Sequence, residues 1–269
     1  MSDRYERLFA RLRDAKEGAF VPFAVAGDPD PSASAVVLEA LVEGGADALE
    51  IGLPFSDPVA DGPAIQRADA RALAAGTGTA MAWDLIRKVR SNHPDLPIGL
   101  LVYANLVLAP GMDAFYAAAA EAGADSVLVV DAPTLEAVPF IESAARHGIA
   151  PVFIATPGMG GDHLRAVASL TRAYTYVVTR AGVTGADGDA RTDHADLIAR
   201  LRAAGAPPCL LGFGISRPEH VRGALQAGAA GAISGSAVAA LIERYAADRA
   251  ALRNELKKFV AGMKAATRG

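Results

Sequence analysis

The chain holds a single cysteine, Cys209, in 269 residues. One thiol excludes an internal disulfide. Its place in an apolar run reads as a small core hydrophobe, not a nucleophile. No apolar run approaches the roughly 20 residues that a membrane-spanning helix needs. The first residues, Met-Ser-Asp-Arg-Tyr-Glu-Arg, are charged and lack the apolar segment of a secretory signal. The expected location is cytoplasmic. There is no basic run and the net charge is -4, which disfavours nucleic acid and anionic membrane as partners. Lysine is scarce: Lys16, Lys88, Lys257, Lys258 and Lys264 complete the set, and none ends a strand-like run. That argues against Schiff-base chemistry. The five histidines, His93, His147, His163, His194 and His220, show no metal-ligand spacing, so no metal site is expected.

What is present is a large apolar fraction, 52% hydrophobic against 21% charged, enough for a sizeable core. A phrase recurs: a helical pattern, a small Gly-containing turn, then a short apolar run. It reads Glu43-Gly44-Gly45-Ala46-Asp47-Ala48-Leu49 and again Glu121-Ala122-Gly123-Ala124-Asp125-Ser126-Val127. It returns at His147-Gly148-Ile149 and at Ala227-Gly228-Ala229. Glycine after a helix supplies its left-handed cap. The apolar runs are too continuous for a strand with one wet face and suit a parallel sheet buried on both sides. Eight of them lie near 19–25, 48–53, 97–103, 126–130, 151–155, 174–179, 208–212 and 231–234. Helical patterns fall between them, including Met81–Arg90, Met112–Ala122 and Leu135–His147. Strict alternation of this kind predicts a single α/β domain over 1–269, a (β/α)8 TIM barrel, with an open doubly wound sheet as the alternative. Residues Arg4 to Lys16, with Leu8, Phe9 and Leu12 on one face, form an extra N-terminal helix that closes the bottom.

The most informative stretch runs from Leu49 to Gly62: Leu-Glu-Ile-Gly-Leu-Pro-Phe-Ser-Asp-Pro-Val-Ala-Asp-Gly. Proline lacks the N–H of a central strand, so the strand stops by Pro54. Glu50 then sits on a buried strand near its carboxyl end, and Asp61 in the loop beyond it. A carboxylate on such a strand costs several kcal/mol unless paired or neutralised. That makes it a candidate for a raised pKa and acid–base work. A lone strand glutamate reads by itself as a satisfied structural carboxylate; the rest of the chain reverses that reading.

In a barrel the active site gathers at the carboxyl ends of the strands. Gly212-Phe213-Gly214-Ile215-Ser216 follows the seventh run and Ser234-Gly235-Ser236 the eighth, both before helices. Glycines admit a ligand close to the backbone, and helix N-terminal amides favour an anion. A phosphate site is expected there. The loop after the sixth run, Arg180 to Gly188, is Gly-rich and reads equally as a lid or as a plain flexible connection. Tyr103 and Tyr176 end strands and carry hydroxyls that need partners, so they read as pocket more than core.

The Leu49–Gly62 stretch, with Arg180–Gly185 and Gly212–Ser216, closely resembles the signatures of the tryptophan synthase alpha chain family. The likeness runs from Tyr5-Glu6-Arg7-Leu8-Phe9 to the C-terminal Met263–Arg268. Two departures stand out: Val25 replaces an expected threonine, and Leu106 to Gly111 is less polar than expected. The resemblance implies retro-aldol cleavage of indole-3-glycerol phosphate to indole and glyceraldehyde 3-phosphate, in L-tryptophan biosynthesis. It implies that Glu50 and Asp61 are catalytic. It implies that Thr184 pairs with Asp61 when the lid closes, and that Gly185, Gly214, Gly235 and Ser236 hold the substrate phosphate. Phe23, Leu101, Tyr103, Leu128, Tyr176 and Phe213 would surround the rest of the substrate, although Leu101 and Leu128 fit barrel core equally well. The implied partner is a tryptophan synthase beta chain in an alpha2beta2 heterotetramer, docked through Pro54, Asp57, Pro58, Asn105, Asp131 and Pro133. No cofactor is implied for this chain, since pyridoxal phosphate belongs to the partner beta chain.

Rival readings are another phosphate-binding barrel, such as a phosphoribosyl isomerase, a non-catalytic regulatory subunit, and a lyase acting alone on a related indole compound. The Leu49–Gly62 stretch separates the first, and retention of both carboxylates the second.

Overall fold

The structure, a computed structural model, describes residues 3–178 and 190–268. Nine strands appear: β1 (Ala19–Val25), β2 (Leu49–Gly52), β3 (Ile98–Val102), β4 (Ser126–Val129), β5 (Ala150–Pro151), β6 (Ile154–Ala155), β7 (Thr175–Val178), β8 (Cys209–Gly212) and β9 (Gly231–Ser234). All pairings are parallel, in the order β5-β4-β3-β2-β1-β9-β8-β7-β6. The two ends of that order are halves of one extended segment. Val152 N–H bonds to Val127 on one side, and Phe153 accepts from Tyr176 N–H on the other. The sheet therefore closes through the fifth predicted strand, which faces β4 with its first half and β7 with its second.

The helices are α1 (Arg4–Ala15), α2 (Pro31–Glu43), α3 (Pro63–Ala74), α4 (Thr79–Asn92), α5 (Ala104–Leu108), α6 (Met112–Ala122), α7 (Val138–Arg146), α8 (Gly161–Leu170), α9 (Ala190–Ala203), α10 (Pro218–Gln226), α11 (Ser236–Tyr245) and α12 (Arg249–Ala265). The helix expected from Leu135 begins instead as a 3-10 turn, Thr134–Glu136, before α7. Pro139 lies in the first turn of α7, where its missing N–H costs nothing. Two helices were not anticipated, α3 and α5. α3 starts at Pro63 after Gly62, with Ile65, Ala68 and Ala72 buried.

Strand alternation builds two cores. On β1, Phe20 and Ala24 point outward to the helices, while Ala19, Val21, Phe23 and Val25 point into the barrel. On β2, Leu49 and Ile51 face outward, which turns Glu50 inward. Cys209 packs in the outer core, and burial pushes its thiol up to about 11. The departure at Val25 puts a buried aliphatic side chain inside the barrel.

The amino end is closed by α1, which buries Tyr5, Leu8, Phe9 and Leu12. Here the recurring phrase acquires a physical meaning. Asp47 and Asp125 occupy the same place in it, and each bonds through its side chain to a neighbouring strand. Asp47 Oδ2 accepts from Phe20 N–H at 2.9 Å, and Asp125 Oδ2 from Ile98 N–H at 2.9 Å. Both carboxylates also meet cations: Asp47 meets Arg11 and Lys264, and Asp125 meets Arg4 and Arg90.

Candidate active site

The carboxyl end of the barrel opens on a cavity of about 610 Å³. Glu50 lies on its floor, 1% exposed. The neighbouring strands place Phe23 and Gly99 level with it. Tyr174, just before β7, donates to Glu50 Oε1 at 2.7 Å. Oε2 is buried and has no hydrogen-bond partner among the described residues. Burial pushes the carboxyl from its ordinary 4.5 up to about 7, against the Tyr174 bond, with the charge of Asp61 adding to the rise. A group with that pKa gives up and takes back a proton readily at neutral pH.

Asp61 reaches the same cavity from the loop between β2 and α3. The Tyr103 hydroxyl donates to its Oδ2 at 2.7 Å and accepts from Ala60 N–H at 3.1 Å. Burial holds the Asp61 carboxyl above its usual range, and the Tyr103 bond partly offsets this. Tyr103, 3% exposed, does not line the cavity but stands behind Asp61, with the Phe55 ring stacked on it at 5.0 Å.

Much of the wall is apolar. Phe23, Leu101, Leu128, Tyr176 and Phe213, which the family resemblance implies for the substrate pocket, all line the cavity. Leu128 and Tyr176 are also part of the inner core, so the mouth of the barrel and its packing share side chains. Ile154, Val178 and Ile233 line it as well and were not anticipated; mid-strand aliphatics carry no sequence mark that separates pocket from core.

Gly214, Ile215 and Ser216 after β8 line the cavity together with Gly235, Ser236 and Ala237 at the start of α11. Phe213 and Gly214 both adopt the left-handed conformation, with φ of 68° and 73°. For Phe213 that costs roughly 1–2 kcal/mol, a strain that clusters at ligand clamps. Gly212 is required by packing: a Cβ there would lie 2.3 Å from the Tyr176 hydroxyl oxygen. The α11 N-terminus has no side-chain cap, so its first amides and the Ser236 hydroxyl are left for an anion in the cavity. The two late-strand turns singled out in the sequence thus line one cavity. Thr184 and Gly185, with the rest of the expected lid, lie outside the described residues.

Of the expected docking residues, Asp57, Asn105, Asp131 and Pro133 are exposed, Pro58 is half-buried and Pro54 is buried. Asp131 Oδ1 accepts from Ala104 N–H at 2.7 Å, tying the loops after β3 and β4 together. Large apolar side chains are exposed beyond the ends of β2, β3 and β4: Val59 at 75%, Leu108 at the end of α5 at 48% and Leu135 in the 3-10 turn at 94%. Leu108 lies in the stretch that the sequence marked as less polar than expected.

None of the five lysines lines the cavity. Among the described residues no cluster of His, Cys, Asp and Glu is arranged to hold a metal ion, and no helix is long and apolar enough to cross a membrane. One acidic residue near the site was not anticipated. Asp69 on α3 is buried and accepts from Phe55 N–H at 3.2 Å. The signal was Gly62-Pro63, a helix start, followed by apolar residues at helical spacing.

A model of the family described as tryptophan synthase alpha chain matches residues 9–268. The curated tryptophan synthase alpha chain of Klebsiella pneumoniae is 54% identical over 266 residues, covering 99% of this chain and 99% of its own. That of Aliivibrio fischeri is 55% identical over 265 residues, covering 98% and 99%. Among solved structures, tryptophan synthase subunit alpha from Legionella pneumophila superposes with a TM-score of 0.87 at 29% identity, covering 99% of each chain. A chain from the tryptophan synthase a2b2 complex of Pyrococcus furiosus superposes at 0.82 with 34% identity, covering 92% of this chain and 98% of that one. Sequence likeness along nearly the whole length agrees with the barrel: the chain belongs to the tryptophan synthase alpha chain family.

Proposed function

We propose that the chain cleaves indole-3-glycerol phosphate to indole and glyceraldehyde 3-phosphate, as the alpha subunit of tryptophan synthase. The observation that carries this reading is Glu50: a buried carboxyl with one unpartnered oxygen, facing the same cavity as Asp61. Two carboxyls in different environments are what an acid–base reaction needs. The indole ring is itself the electron sink, so the reaction asks for no lysine and no metal. Glu50 delivers a proton to ring carbon C3, which leaves a positive charge shared with the ring nitrogen. Asp61 balances that charge. Glu50, now ionised, takes the proton of the side-chain hydroxyl next to C3. The carbon–carbon bond breaks, its electrons return to the ring, and the aldehyde leaves. One proton enters and one departs, so Glu50 ends as it began.

The late-strand turns suit the phosphate, with Gly214, Gly235 and Ser236 as donors, and Gly185 joining from the sixth-strand loop. Thr184 of that loop would hold Asp61 from the other side. Phe23, Leu101, Leu128, Tyr176 and Phe213 supply an apolar slot for the ring, and Tyr103 fixes Asp61. The partner is the tryptophan synthase beta chain in an alpha2beta2 assembly. The docking face combines Pro54, Asp57, Pro58, Asn105, Asp131 and Pro133 with the exposed Val59, Leu108 and Leu135, an apolar set that suits a buried interface. Indole then passes to that partner, which holds the pyridoxal phosphate. Action in the cytoplasm fits this role.

The test is indole release from indole-3-glycerol phosphate by the purified chain, alone and with a beta chain. Slow cleavage alone and faster cleavage with the partner is the expected result. Absence of cleavage in both would leave only a phosphate-binding barrel.

A further inference from the structure

Asp69 is a carboxylate that the proposed proton transfers do not use. It sits on α3 at 4% exposure, and its Oδ1 accepts from Phe55 N–H at 3.2 Å. Burial pushes it up to about 7; the Phe55 amide pulls against this, and Asp61 and Asp28 add to it. α3 is a firm base. Two residues on, Arg71 grips the buried Asp28 with two bonds of 2.8 and 2.9 Å, and it also meets Glu243 of α11.

From Phe55 the contacts continue. Its ring stacks on Tyr103, centroids 5.0 Å apart and planes at 24°. The Tyr103 hydroxyl then holds Asp61 Oδ2 at 2.7 Å and Ala60 N–H at 3.1 Å. Inside the loop the backbone bonds are local, Val59 N–H to Asp57 and Asp61 N–H to Pro58. They shape the turn without fixing it to the barrel. Gln66 of α3 also donates its side-chain N–H to the Asp61 carbonyl at 2.8 Å, which holds the backbone directly. The carboxylate is held by Tyr103 at the end of β3, whose ring is braced by Phe55 and, through the Phe55 amide, by Asp69.

We propose that Asp69 is a positioning residue for the lyase reaction, one that fixes the loop through the Phe55 amide so that the Phe55–Tyr103 stack keeps Asp61 on the substrate ring. The proposal rests on the function given above. Asp61 acts on charge that develops during reaction, so a misplaced Asp61 lowers turnover more than binding. The apolar walls and the phosphate end come from other strands and stay in place.

The experiment is steady-state cleavage of indole-3-glycerol phosphate by the parent, Asp69→Ala and Asp69→Asn. Asp69→Ala is expected to lower kcat about tenfold or more, with KM within about twofold of the parent. Asp69→Asn keeps an acceptor oxygen for the Phe55 amide and recovers most of that loss. Phe55→Ala cuts the same path at the ring stack without touching the buried carboxyl. It reproduces the fall in kcat and decides the matter should Asp69→Ala fold poorly. In an Asp61→Ala background neither substitution costs anything further, because the group they position is gone. Unchanged kcat in Phe55→Ala and in folded Asp69→Ala, or losses that stay additive with Asp61→Ala, would overturn the assignment. A parent chain that cleaves nothing would instead overturn the function on which it rests.

Discussion

Glu50 at the carboxyl end of the barrel is held very differently from the buried carboxylates Asp47 and Asp125 at the amino end. At the amino end, Asp47 and Asp125 each accept from a strand amide and from two cations, within 2.7–3.0 Å. At the carboxyl end, Glu50 has one hydroxyl donor and an unpartnered oxygen, and its carboxyl is pushed up to about 7. Both ends bury charge, and at the carboxyl end Arg71 pairs Asp28 with two bonds, but Glu50 is left half-paired. A fully paired carboxylate locks strands and helices together. A half-paired one is costly to ionise, and that cost is what keeps a proton available for chemistry.

The largest effect that tests this contrast is Glu50→Gln. It should lower cleavage by about a hundredfold to ten-thousandfold, while circular dichroism shows the parent fold. A cleaving Glu50→Gln would end the catalytic reading of the carboxyl end. The mirror experiment is Asp125→Ala at the amino end. It strands Arg90 and the Ile98 amide in a poorly solvated place and should cost about 3–5 kcal/mol in urea unfolding. Protein that remains folded should keep the parent kcat; a kcat that falls in step with stability would blur the distinction between the two ends.

A third prediction is linkage. The native state holds the Glu50 proton up to about pH 7, whereas the unfolded chain releases it near 4.5. Between those values the native state binds more protons, so the Glu50 contribution to stability falls as pH rises and levels off above pH 7. Glu50→Gln removes that slope. Its stability relative to the parent should therefore grow by roughly 3 kcal/mol between pH 4.5 and 8, read from urea midpoints at the two values. A gap that stays constant would mean Glu50 is ionised throughout. The smallest effect is expected for Tyr103→Phe, which removes the Asp61 donor but keeps the stacked ring. Stability should change by about 1 kcal/mol, with a fall in kcat and little change in KM. An unaltered kcat would show that Asp61 is held by other contacts.

Much of this was legible in the chain. Continuous apolar runs spaced by helices announced a closed parallel sheet, because a strand buried on both faces has no polar alternation. Glycines after the last two strands marked a candidate ligand turn, and Gly214, Gly235 and Ser236 line one cavity. Glu50 stood out because a carboxylate inside an apolar run has no local explanation. α3 escaped because its alanine-rich pattern sits directly after a loop full of turn residues, and Asp69 escaped with it.

The sequence by itself determined the local states: where strands run, where Pro54 stops one, and which glycines release the chain into a turn. These depend on neighbours within a few residues. Only the tertiary structure decided the partners. Tyr174 reaches Glu50 across 124 positions, and Tyr103 reaches Asp61 across 42. Asp47 and Asp125 share a repeated phrase with no visible role until strand pairing brings a neighbour's amide to each. The physical reason is closure. Which inward-facing side chains become neighbours, and which carboxyl oxygen is left without one, is fixed when the eight-stranded path joins between β4 and β7 through the split segment of β5 and β6.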